Sequence, residues 1–325
     1  MGVIPLFLTQ HDALRYTTDV TSRHSPLDRP DVATVLASTP YADVAVDTVR
    51  GPHITPAAFA AADGRLWVVS SRRTIRVRSV RRRHHASLLA RSGSRSVIVS
   101  GRAEVLSLWP PSETVGIVMN SVPVVRAATM YALRNARLLF GGFLRDMVAG
   151  TGDLTVYDRV LVAIEPERGM LLDGEELLHT WGRWHRVSSP RHSPSISKQL
   201  PPLDELVAAL PPAVLDALDN PASASLGWSA PTGAVALPAL DAGADGRVHV
   251  PTAALDAVST APRAPACVTF HNSESVRPSG FRGVILRGEG SVVHRGVART
   301  TVDVAAERVS WWSGFRAGTA SAQAA

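Results

Sequence analysis

One cysteine and one lysine are all the chain holds of either residue. With Cys267 alone, an internal disulfide is excluded and no cysteine metal cluster can form, so no metal site is expected. A lone thiol fits a reducing compartment, and the expected location is the cytoplasm. With Lys198 alone, the other strong bases are all arginine, set among abundant Ala, Val and Gly. That pattern reflects codon bias in a GC-rich genome. Arginine density and the formal charge of +6 therefore say little about function by themselves. Long apolar runs are missing too. None approaches the ~18 uncharged residues a membrane helix needs. The nearest candidate, RLLFGGFLRDMVAG, carries Arg137, Arg145 and Asp146 and reads as a buried helix. The opening MGVIPLFLTQHDALRY lacks the basic segment and cleavage site of a signal peptide. No Ser/His/Asp order or paired-carboxylate spacing stands out, so no catalytic residue is assigned.

What is present is apolar material enough for more than one core. A chain of 325 residues, 45% hydrophobic and 19% charged, is too long for the usual single domain and too apolar for disorder. It also repeats itself. GPHITPAAFAAADGRLWVV from Gly51 matches GAVALPALDAGADGRVHVP from Gly233, placing Gly51 on Gly233, Pro56 on Pro238 and ADGR at Ala62 on ADGR at Ala244. Ala86–Leu89 (ASLL) falls on Cys267–Phe270 (CVTF). VIVSGRAEVLS from Val97 falls on VILRGEGSVV from Val284, and VAIEPERGMLL from Val162 on VDVAAERVSWW from Val302. Four matches in one order indicate duplication. Residues from about 43 to 184 and from about 226 to 319 are expected to share one topology.

Each copy has the same coarse plan. A short helix (PDVATVLAS from Pro30; AVLDAL from Ala213) leads to a proline-marked strand, and an Asp-Gly turn then joins two β-prone runs. A helix or loop and further strands follow. Many short strands with one interposed helix predict a small antiparallel barrel. The fold class is mainly β with helices (α+β), two tandem barrels with a helical insert in the first. The insert runs from Ser112, a good N-cap after Trp109-Pro110-Pro111, to Val148, broken near Pro123 and Gly141-Gly142. The domains are then 1–187, a linker at 188–202 rich in Ser and Pro, and 203–325.

One local feature survives the codon-bias discount. Arg72 to His85 reads RRTIRVRSVRRRHH, with seven arginines and two histidines. A solvated helix face, a nucleic-acid surface and a phosphate cradle would all look like this. No reading motif or aromatic stacking platform accompanies it, so no nucleic-acid partner is expected. Adjacent His84 and His85 point about 100° apart on a helix and rarely ligate one ion together. Trp181, Trp184 and Trp311-Trp312 read as strand-end core.

The stretch GPHITPAAFAAADGRLWVVSSRRTIRVRSVRRRHHASLLARSG, followed by RSVIVSGRAEVLS, resembles the flavin-binding split β-barrel superfamily around pyridoxamine 5′-phosphate oxidase and the deazaflavin-dependent reductases. The shared features are a Pro-bounded strand, a hairpin, a helix opening T-x-K-x-R-N-L-R-R-D-P and a closing V-x-V-x-G-x-A-x-V strand. The likeness covers about residues 43–106 well and the rest of the first copy loosely. It implies that Thr74, Arg76, Arg78 and Ser79 match the family's anion-binding segment, with Arg81 and Arg82 on its basic pair. Arg76 replaces a lysine, and Arg83-His84-His85 stand where the family has Asp-Pro, which leaves the helix end open. Ser70 and Ser71 would add donors where strand passes into helix, and a flavin ring would lie along His53, Ile54, Thr55 and Pro56. The cofactor implied is FMN, with the deazaflavin coenzyme or haem as alternatives. The function implied is oxidoreduction of a small organic substrate, with a non-catalytic or haem-binding barrel as the alternative. Copy two has only Arg263 as a base in its matching PTAALDAVSTAPRAP and reads as scaffold. Barrels of this family pair as homodimers with cofactor between them, a role the duplication could fill within one chain.

Overall fold

The structure is a computed structural model describing residues 25–107, 122–136, 159–184, 203–208, 210–272, 280–314 and 316–321. The expected linker and most of the insert lie outside these. Six α-helices and fifteen strands are described. In the first half they run α1 (Pro30–Ser38), β1 (Tyr41–Thr48), β2 (Gly51–Ala62), β3 (Arg65–Ser71), α2 (Ile75–Arg83), β4 (His85–Ser92), β5 (Arg95–Ser107), α3 (Val122–Arg134), β6 (Arg159–Asp173) and β7 (Glu176–Trp181). In the second they run α4 (Leu203–Ala208), α5 (Pro212–Asp219), β8 (Ser223–Ala230), β9 (Gly233–Pro238), β10 (Asp241–Ala242), β11 (Arg247–Pro251), α6 (Thr252–Val258), β12 (Arg263–Asn272), β13 (Arg282–Arg295), β14 (Arg299–Ser313) and β15 (Arg316–Ser321).

The strand order establishes the duplication. In the first half β3-β2-β1-β4-β5-β6 closes on itself through a β3–β6 pairing, with β7 added to β6. In the second, β11-β14-β13-β12-β8-β9 follows the same circuit with β15 added to β14, but stays open between β9 and β11. The chain is two tandem split barrels, one closed and one a half-barrel.

Register fixes the equivalences residue by residue. Ser100 pairs Arg168 and Gly101 pairs Pro166, leaving Glu167 as the extra residue of a β-bulge. Arg287 pairs Arg308 and Gly288 pairs Ala306, leaving Glu307 in the same place. A Cβ on Gly101 would sit 1.9 Å from the Glu165 carbonyl, and one on Gly288 1.7 Å from the Ala305 carbonyl. Both bulges therefore require glycine.

Two of the sequence matches shift. Ser87, not Ala86, is the counterpart of Cys267, because Ser87 pairs Ser100 where Cys267 pairs Arg287. The two ADGR segments also do not superpose. Asp63-Gly64 makes a two-residue turn, with Asp63 at φ 54 and Gly64 at φ 71, the left-handed pair of a type I′ hairpin. In copy two Ala242 pairs Val248, so the loop spans 243–246, and a separate β10 takes up the slack. β3 and β11, set by their pairing to β6 and β14, place Val68 on Val248.

Runs such as VIV in β5 are apolar on successive residues because both faces are buried. Val97 and Val99 join the core of the first barrel, whereas Ile98, with Ala45, Ile54 and Leu89, joins the core built on Leu226, Trp228, Val235 and Phe270. The second barrel packs directly on β1, β2, β4 and β5 of the first, and the contacts are reciprocal. Gly51, at φ 92, leaves room for Pro265, and its counterpart Gly233, at φ 126, leaves room for His85, the counterpart of Pro265. The Ala236 amide donates to Ser87 Oγ at 3.4 Å, and the amide of its counterpart Ile54 donates to Cys267. On the axis between barrels, equivalent residues Asp43 and Ser225 hydrogen-bond to each other. Arg91 and its counterpart His271 both bind Asp43, at 3.0 and 2.7 Å.

Candidate functional site

β3 ends at Ser71, and the chain turns through Arg72 and Arg73 into α2. Thr74 is the N-cap: its Oγ1 accepts from the Val77 amide at 3.3 Å, donates to the Ser71 carbonyl at 2.8 Å and lies 3.0 Å from Ser70 Oγ. α2 stops at Arg83. His84 adopts the left-handed conformation, at φ 51, and its amide bonds the Val80 carbonyl at 2.8 Å. The His84-His85 departure from the family pattern is thus a C-cap followed by the first residue of β4.

Helical spacing splits the arginine cluster. Arg76 and Ser79 are buried with Val77 and Val80, while Arg78, Arg81, Arg82 and Arg83 are exposed. Arg76, 7% exposed, turns inward onto β2: Nη2 bonds Thr55 Oγ1, the Thr55 carbonyl at 3.1 Å and the Pro56 carbonyl at 3.4 Å. Its Nε is buried with no partner. Burial pulls its pKa down to about 10, with Tyr131 of α3 and Asp43 opposing the shift, so it stays charged at neutral pH.

His53, two residues before Thr55, shares its side of β2. Burial first, then Arg287 and Arg76, push its pKa down to about 3, so the imidazole is neutral. Arg287 reaches it from β13 of the second barrel, with Nη2 within hydrogen-bond distance of His53 Nδ1.

Of the residues marked in the sequence, His53, Thr55, Pro56, Ser70, Thr74 and Arg76 gather around β2 and the β3–α2 junction. Ser71 joins them through its carbonyl, and Ser79 is buried one turn along α2. Arg78 and Arg82, four apart, share the outer face of the helix. Arg263, in copy two, is exposed and lies 3.8 Å from Glu289. Sequence reasoning missed Arg287. Its signal was a charge inside the apolar run VILRG, opposite Ser100 in the repeat.

His85 is no ligand partner of His84. Its Nε2 lies 2.9 Å from buried Ser100 Oγ and 3.4 Å from Arg168, and burial with that arginine lowers its pKa to about 4. Trp181 lies over Gly169 and Trp312 over Gly283, in strand-end packing. Among the described residues no group of three metal-ligating side chains converges, and no helix is long and apolar enough to cross a membrane.

No family model and no curated protein matches the chain. Solved structures do. A pyridoxamine 5′-phosphate oxidase-related, FMN-binding protein from Nostoc punctiforme is 14% identical over 45% of this chain and 79% of its own, with a TM-score of 0.29. General stress protein 26 from Bacillus anthracis is 14% identical over 46% and 95%, TM-score 0.29. A FAD-binding protein from Mesorhizobium loti is 16% identical over 43% and 89%, TM-score 0.31. The assignment of two split barrels rests on this chain's own strand order and register.

Proposed function

We propose that the chain binds one flavin, FMN or the deazaflavin coenzyme, at the β2/β3–α2 groove of the first barrel and acts as an oxidoreductase on a small organic substrate. The observation carrying this reading is Arg76, a buried guanidinium that makes no ion pair among the described residues, bonds the Thr55 hydroxyl and the Thr55 and Pro56 carbonyls, and keeps an unpartnered Nε. A buried cation hydrogen-bonded only to neutral carbonyls and hydroxyls is costly even with Asp43 in its field, and an anion such as a cofactor phosphate would offset that cost. When bound, the flavin supplies the hydride or electron transfer. The chain's part is to fix the phosphate with Arg76, Ser70, Ser71 and Thr74, and to line the ring with β2 from His53 to Pro56. Arg78 and Arg82 would screen the phosphate from the helix's outer face. The packing of the two barrels would stand in for a homodimer partner, in a cytoplasmic protein with no nucleic-acid or membrane partner.

An absorbance spectrum of the purified protein, followed by FMN and deazaflavin titrations, tests this. Arg76→Ala should weaken binding by about 1.5–3 kcal/mol, the scale of a charge-assisted hydrogen bond, and Arg263→Ala should change little. Equal losses from both would point to a general electrostatic surface instead, and a Soret band in place of a flavin spectrum would favour the haem-binding alternative.

A further inference from the structure

The two barrels form two equivalent grooves whose bases differ: the second has Arg168 beside Ser100 and His85, and that arginine pairs with Glu167 at 3.5 Å. In the first, β2 presents His53 and Thr55, α2 supplies Arg76, and the other barrel supplies Arg287. The counterparts in the second groove are Val235 for His53, Leu237 for Thr55, Ser100 for Arg287 and, by equal spacing between Ser71/His85 and Pro251/Pro265, Asp256 for Arg76. Asp256 is engaged by Arg295 at the surface. The base on β13 therefore stands only in the copy that faces the groove already holding Arg76.

Arg287 is 7% exposed, as is His53. Its Nε is buried without a partner, and it makes no ion pair among the described residues. Arg50, on the β1–β2 turn, adds to the positive field around it. A guanidinium facing a neutral imidazole, with other bases near and no carboxylate bonded to it, lacks the counter-charge that buried arginines ordinarily have. The Arg76 and Arg287 contacts fall two residues apart on β2, about 7 Å at the usual strand rise.

We infer that Arg287 and His53 form a second anion-binding position, made jointly by the two barrels, which takes an oxyanion group of the substrate, a carboxylate or phosphate. The substrate is then a small anionic acceptor, and the second barrel contributes a specificity-determining residue. This rests on the flavin reading for its assignment to a substrate, but not for the anion site itself.

Inorganic phosphate is the probe, titrated by calorimetry at low ionic strength into the full chain without flavin and into the FMN-saturated chain. The expected result is an Arg287-dependent site in both. Arg287→Gln should weaken phosphate binding about tenfold or more while leaving FMN affinity within about twofold. Arg287→Lys, which keeps the charge, should restore part of the binding, and thermal melts confirm that each variant is folded. A wild-type chain that takes up no phosphate, or phosphate binding equal in wild type and folded Arg287→Gln, overturns the anion site. Arg287-dependent phosphate binding that FMN abolishes shows the group to be the cofactor's own and overturns the substrate assignment. Failure to bind FMN while Arg287-dependent phosphate binding persists sinks the flavin reading and leaves the anion site standing.

Discussion

Removing the Asp43 carboxylate should be among the most destabilising single changes in the interface between the barrels. Asp43 is 2% exposed and has three partners from separate strands: His271 at 2.7 Å, Arg91 at 3.0 Å and the Ser225 hydroxyl. Burial opposes its ionisation, but His271, Arg91 and Ser225 together hold its pKa well below the usual carboxylate range. Breaking a buried pair by deleting one partner costs about 3–5 kcal/mol, because the other charge is left uncompensated. Arg91 retains the Ala224 carbonyl at 2.7 Å and the Ser223 and Ser225 hydroxyls, and its side chain is 24% exposed. The lower end of that range, about 3 kcal/mol for Asp43→Ala, is therefore expected. Because the folded pKa is depressed, the contribution is complete above about pH 4, the unfolded carboxylate value, and is lost only as pH falls toward the folded value. Urea denaturation of wild type and Asp43→Ala at pH 5 and pH 7 should show the same gap at both. A loss under about 0.5 kcal/mol, the size of an ordinary surface change, would refute the argument. Recovery of stability in an Asp43→Ala/Arg91→Met double variant, relative to Asp43→Ala, would support it.

Three further outcomes follow from the geometry. Gly101→Ala and Gly288→Ala should each destabilise by about 3 kcal/mol in denaturant melts, since both place a Cβ against a strand carbonyl in the duplicated bulge, at the upper end for overpacking. His53 and His85, lowered to about 3 and 4, stay neutral in the folded chain at pH values where the unfolded histidines, near 6.5, take up protons. Stability should therefore rise with pH up to about 6.5, and His53→Gln or His85→Gln should flatten the acid-side loss between pH 4 and 6.5 in thermal melts. Neutralising Arg81 or Arg83, exposed on α2, should change folding stability by under about 0.5 kcal/mol.

Most of the barrel was legible because its signals are local. The Asp63-Gly64 turn and Pro30 at the start of α1 each declare themselves within a few residues. The two shifted matches had no such anchor. ASLL and CVTF are short apolar strings that fit equally well one residue apart, and only pairing to the neighbouring strand chooses between them. The identical ADGR letters misled because a turn is defined by the strands it joins. With β9 and β11 unpaired, nothing compels the second copy to make the tight hairpin of the first. The site was half legible. Bases within the helix segment could be found by matching a motif, but Arg287 enters from the other barrel, some 230 residues away in sequence from His53. A charge in a buried strand is the one sign it leaves, and its partner becomes visible only when the barrels are placed together.

The interface also explains why two barrels in one chain can do what two identical subunits cannot. At a true two-fold axis every residue meets its own copy, so an aspartate at position 43 would face a second aspartate with both carboxylates buried, and one would have to protonate or the pair would repel. Here the axis holds one aspartate and one serine, and that serine donates a hydrogen bond to the carboxylate. The single negative charge then serves both an arginine and a histidine that are themselves counterparts. The same freedom operates at the two grooves. Ser100 and Arg287 occupy equivalent sites, but Ser100 bonds His85 and Arg168, whereas Arg287 meets His53. Identical subunits would place the arginine in both grooves or neither. The walls would repeat with it, so two grooves of different composition are open only to the fused chain.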